Sequence, residues 1–122
     1  MATRLTWSLS TLVQNILKWL SKLTGPSDTH VLAQLRATKA LVTFCELHGR
    51  EDIGLIRECQ SALEDGNIRK AVAAYKQVPL GGNGCFNDWW PPVVFDHEDN
   101  DYVWAVFEAL VAHWSLMMKL ST

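Results

Sequence analysis

Phe86, Asn87, Asp88, Trp89 and Trp90 form an unbroken run, and Asp96, His97, Glu98, Asp99 and Asp101 follow a few residues later. These are the residues whose types and spacing can do chemistry. Asp88 stands beside two indoles. A carboxylate that loses water there has its pKa raised, so Asp88 is the carboxylate placed for acid–base work. Its competing role is structural, because Asn87 and Asp88 can bond neighbouring backbone groups as in an Asx-turn. The aromatic residues also have two readings. They can lid a helical core as an ordered Ω-like loop, one indole can anchor a protein partner, or both can hold together with one Trp turned in and the other out.

Metal, phosphate and triad chemistry fit poorly. Asp96-x-Glu98-x-Asn100 begins like a calcium loop, but its sixth position is Asp101 and its twelfth is Phe107, where an EF-hand needs Gly and Glu. His97 and Cys85 are two scattered ligands and do not make a zinc site. Gly81-Gly82-x-Gly84 lacks the Lys-Ser/Thr pair of a phosphate loop. No cofactor is implied. His113 reads as a partly buried structural residue.

Gly81, Gly82, Gly84, Pro91 and Pro92 frame the aromatic run. The glycines allow positive φ, and the prolines enforce extended backbone. Residues 79–98 show no helical period. A loop of this length inside a compact domain is uncommon, and is often functional when ordered. Val93, Val94 and Phe95 are expected to form one short strand against Val78 and Leu80.

Helices must position this loop. Residues 3–23 place Leu5, Leu9, Leu12, Ile16, Trp19 and Leu23 on a heptad seam. Such a helix packs on the core, lies on a membrane surface through Leu5, Trp7, Leu12, Ile16 and Trp19, or self-associates into a homo-oligomer. Ser8, Ser10, Thr11, Gln14 and Asn15 interrupt it too often for a membrane span or a secretory signal. Residues 1–25 can form a separate amphipathic arm. A second helix is expected over 28–48, closed by Gly49. A third begins near Arg50, with Glu51 and Asp52 at its positive end. After Asp65-Gly66-Asn67, a short fourth helix carries Ile68, Ala71, Val72 and Tyr75 and stops before Pro79. The last helix spans 99–119 and carries Tyr102, Val103, Val106, Phe107, Leu110, Val111, Trp114, Met117 and Met118 at helical period. The expected fold is all-α: a single-domain bundle of about five helices with a long ordered aromatic loop before the C-terminal helix.

The 122 residues, 48% hydrophobic and 20% charged, suit one globular domain. The three cysteines, Cys45, Cys59 and Cys85, are an odd set with no close pair. This argues against a disulfide framework and for a reducing, cytoplasmic setting. The net charge of −2 is polarised. Residues 1–25 carry Arg4, Lys18 and Lys22 without an acid, whereas residues 85–122 carry six acids against Lys119 alone. Nucleic-acid binding usually shows a basic excess, so nucleic acid is not expected as a partner. An acidic face with aromatic anchors fits a basic protein partner.

Leu80-Gly81-Gly82-Asn83-Gly84-Cys85-Phe86-Asn87-Asp88 resembles the G-G-x-G-x-F-N-D signature of small, uncharacterised bacterial helical proteins. There too the signature lies between a helical first part and a closing helix, so the resemblance covers the last half of the chain. It implies the helical fold and no assigned activity. By analogy, small bacterial proteins of this kind look like immunity or adaptor proteins. These readings converge on a non-enzymatic binding protein. The alternatives are a small enzyme or ligand-binding domain with a pocket under residues 81–98, and a membrane-surface protein acting through residues 3–23.

Overall fold

The structure is a computed structural model and describes residues 11–16, 26–81 and 84–122. Its helices are α1 (residues 11–16), α2 (Pro26–Leu47), α3 (Gly54–Glu64), α4 (Ile68–Gln77) and α5 (Asn100–Lys119). No strand occurs among the described residues. The all-α bundle expected from periodicity is the fold. No helix among the described residues is long and apolar enough to cross a membrane.

Gln34, Ala37, Thr38, Leu41, Val42, Phe44, Cys45 and His48 are all buried. Their spacing of three and four residues draws one face along α2. That face packs on α5 and α3, while α3 and α4 pair as a tight hairpin. From α5 the buried residues are Val103, Phe107, Val111, Trp114 and Met118, again one stripe. Trp114 is fully enclosed, and its indole N–H donates to Thr38 Oγ1 at 3.0 Å. The Thr38 hydroxyl in turn donates to the Gln34 carbonyl at 2.7 Å. The largest core side chain is thus buried without an orphaned donor, a loss that costs about 1–3 kcal/mol.

Two helix ends share one device. The Arg50 amide donates to Cys45 O at 2.8 Å, and the Asn67 amide donates to Ala62 O at 2.8 Å. Gly49 (φ 91°) and Gly66 (φ 74°) sit at the left-handed position inside each turn. These are Schellman closures of α2 and α3. The first one corrects the expected start of α3 near Arg50. Chain committed to the Schellman turn cannot begin a helix at the same residues, so α3 begins at Gly54. Glu51 and Asp52 therefore precede α3 and do not fill its first turn.

Other expectations also change. Val93, Val94 and Phe95 form no strand, and the Val93 amide donates to His48 O at 3.3 Å. His113 is exposed. Tyr102, expected on the apolar face of the last helix, is exposed as well. All six residues of α1 are exposed, Leu12 and Ile16 included, so this part of the first amphipathic segment is not packed on the core. Leu5, Trp7 and Trp19 lie outside the described residues.

Candidate functional site

The chain between α4 and α5 is fastened to three consecutive residues, His48, Gly49 and Arg50, which the end of α2 presents. The Arg50 guanidinium donates through Nη1 to the Phe86 carbonyl. It lies 4.0 Å from the Phe86 ring centroid and 5.0 Å from that of Trp89. Its Nε donates to Asp52 Oδ1 at 2.9 Å. A buried cation is tolerated only when paired and hydrogen-bonded, and here one carboxylate, one carbonyl and two aromatic faces meet that need. Asp52 is correspondingly held below the ordinary carboxylate range, chiefly by its bond from Arg50.

His48 grips the other end of the loop. Its Nδ1 lies 2.9 Å from Phe44 O, and its Nε2 lies 3.2 Å from each Glu98 carboxylate oxygen. Both ring nitrogens therefore face acceptors. The ring stacks on Phe44 at 4.0 Å and meets the edge of Phe95 at 5.3 Å. Glu98 also accepts from the Phe95 amide at 3.0 Å. That bond first, and His48 second, hold its carboxyl below the usual range. Between these grips, a Cβ on Gly49 would stand 3.0 Å from Pro92 Cγ and 3.0 Å from Val93 Cγ2. Only the missing side chain lets the loop lie down there.

The described part of the G-G-x-G-x-F-N-D segment is a set of turn instructions. Gly81 and Gly84 have φ of 94° and 75°. Asn87 Oδ1 accepts from the Gly81 amide at 2.9 Å and from the Cys85 thiol. Asp88 Oδ2 accepts from the Gly84 amide at 3.0 Å. Asp88 is exposed, so the indoles do not desolvate it and its role is that of a turn former. Phe86 is buried beside Phe107 and Arg50, which corrects its reading as a partner-contacting residue.

Extended backbone alternates its side chains between faces. Trp89 turns inward, edge-on to Phe107 at 4.9 Å. Trp90 turns outward, 59% exposed, and stacks on Trp104 of α5 at 5.1 Å and 14°. Val93, Phe95 and Tyr102 are also exposed. Among the expected acids the roles divide. Asp99 caps α5 by accepting from the Tyr102 amide at 2.7 Å. Glu98 is turned in toward His48, leaving the outward charge to Asp96 and Asp101. His97 is exposed and stacks on Phe95 at 6.1 Å. Among the described residues, neither Asp96 nor Asp101 has an ion-pair partner.

Sequence reasoning missed His48, Arg50 and Trp104. Trp104 carried a usable signal: it lies off the 103–107–111–114–118 stripe, next to the acids. Arg50 follows a helix-ending Gly, but nothing local marks it for burial.

Two clefts border the loop. One of about 390 Å³ lies beside Arg50, between the start of α3 and Val78, Pro79, Gly84 and Phe86. The other, of about 360 Å³, runs along α5 between Leu80, Asn87, Glu108, Val111, Ala112 and Ser115. No cluster of three or more His, Cys, Asp or Glu able to hold a metal occurs among the described residues. No family model, curated protein or solved structure matches the chain.

Proposed function

We propose that this chain is a non-enzymatic protein-binding protein of the cytoplasm, which blocks a basic partner in the manner of an inhibitor or immunity protein. One observation carries the reading. The Trp90–Trp104 stack faces water at the edge of a loop whose Phe86 and Trp89 are clamped inward. Exposed contiguous apolar surface is rare on soluble monomers and commonly marks an interaction site. Here Asp96, Asp101 and the exposed ring of Tyr102 lie close by along the chain. Negative charge around aromatic anchors steers a basic partner and excludes acidic ones. The resemblance of residues 81–88 to a bacterial signature belongs to this reading. So do the three free, buried cysteines, which suit a reducing compartment.

The test is affinity capture with the wild-type chain and with an Asp96→Lys, Asp101→Lys variant, at low and at raised salt. A partner retained by the wild type should be lost from the variant, and salt should weaken its binding. Retention indifferent to both changes removes the acidic face from the account. Asp99 is unsuitable for charge reversal because it caps α5.

A further inference from the structure

We infer that the Trp90–Trp104 stack is the seat of an arginine side chain presented by an extended basic segment, whose apolar residue four positions along enters the cleft on α5. This rests on the protein-binding reading above and specifies the partner's chemistry.

The two indoles are nearly parallel, so Trp104 is covered on one face by Trp90, and Trp90 keeps its other face for a ligand. An indole face attracts a cation most strongly among the aromatic side chains, and guanidinium also stacks on it. The helix supplies the counter-charge. Asp101 precedes Trp104 by three residues and Glu108 follows it by four, which places all three on one face of α5. Ala105 adds no bulk between them. No ion-pair partner for Asp101 or Glu108 occurs among the described residues. Elsewhere in the fold the protein already treats a guanidinium this way: Arg50 lies over the rings of Phe86 and Trp89 with the Asp52 carboxylate on its Nε. The outer stack offers the same ingredients without the cation.

The strip continues past Glu108 into the cleft of about 360 Å³ walled by Leu80, Val111 and Ala112. From Trp104 to the Val111–Ala112 level is seven to eight residues of helix, or about 11–12 Å at ~1.5 Å rise per residue. Extended chain advances roughly 3.3 Å per residue and returns its side chains to one face every second residue. With the Trp90 ring taken at the level of Trp104, on which it stacks, four residues span about 13 Å, close to that distance, and put both side chains on the binding side. Glu108 stands between the two seats.

The experiment titrates the full chain with short acetylated, amidated serine–glycine peptides, read by tryptophan fluorescence and by amide shifts along α5. The first peptide carries arginine at i and leucine at i+4. In the second, citrulline replaces the arginine. In the third, the leucine moves to i+3. The first should bind saturably, and citrulline should weaken it about tenfold. Moving the leucine should remove the shifts at Val111 and Ala112. Trp90→Ala, at an exposed position, should abolish binding while leaving the fold intact. Asp101→Asn and Glu108→Gln should each weaken it. Equal binding of the citrulline peptide, indifference to Trp90→Ala, or no saturable change up to about 1 mM peptide overturns the inference. A captured partner that is released by charge reversal at Asp96 and Asp101 but ignores Trp90→Ala leaves the acidic face standing and overturns the arginine seat alone.

Discussion

The Arg50 guanidinium both donates to the Phe86 carbonyl and covers the Phe86 ring at 4.0 Å. Residues 36 positions apart in the chain are thereby joined by backbone and side chain at once. This contact turns a glycine- and proline-rich segment into a platform that can hold Trp90 outward.

Replacing Arg50 tests the platform. Lysine keeps the charge but cannot reach a carbonyl, a carboxylate and two rings in one plane. Arg50→Lys should cost about 2 kcal/mol, the scale of a lost hydrogen bond to a charged group, read as a shift in urea midpoint. Hydrogen exchange should accelerate over residues 84–98 more than in α2. Uniform acceleration across the chain would show that Arg50 supports the fold generally and does not fasten the loop.

Glu98 makes stability depend on acid. Its carboxyl is held below its ordinary value near 4.5 by the Phe95 amide and then by His48. A lowered folded pKa means that the unfolded chain binds more protons in that range. The contribution is complete above the ordinary value and disappears as pH falls through the folded one. Urea unfolding at a series of pH values should therefore show a shallower acid decline for Glu98→Gln than for wild type. Asp52, lowered chiefly by Arg50 from an ordinary 3.8, acts in the same direction at slightly lower pH. Parallel wild-type and Glu98→Gln curves would remove Glu98 from the acid response.

Gly49 and Gly66 separate backbone strain from crowding. Both have positive φ, and only at Gly49 would a Cβ meet neighbours, at Pro92 and Val93. Gly66→Ala should cost about 1–2 kcal/mol from the left-handed backbone alone. Gly49→Ala should cost more, and it alone should speed amide exchange at Val93. Equal cost and equal exchange for the two would mean that the loop yields freely at Pro92.

Burial pushes the Cys45 thiol up to about 12 and the Cys59 thiol up to about 11. Thiolate is the reactive form, so both should resist iodoacetamide at neutral pH in the native protein. Their alkylation, followed residue by residue by mass spectrometry, should rise steeply only through the urea transition. Fast native labelling of either one would contradict its burial.

The sequence alone settled what local chemistry settles. Apolar spacing marked the buried stripe of α5, Gly49 and Gly66 marked two helix ends, and Pro79 marked the end of α4. Asn87 and Asp88 were legible as turn formers because their backbone partners lie within a few residues. A two-faced Trp89–Trp90 pair was legible too, since adjacent residues in extended chain point oppositely. Which indole faces inward was decided only by Phe107, brought under the loop by the packing of α5 on α2. The inward turn of Glu98 and the burial of Arg50 were likewise tertiary decisions. A charged side chain is driven outward by the cost of losing water unless partners replace that water. Glu98 has the Phe95 amide and Arg50 has Asp52 close by in the chain, but the partners that draw them inward are His48 and Phe86, 50 and 36 residues away, which no local pattern could announce.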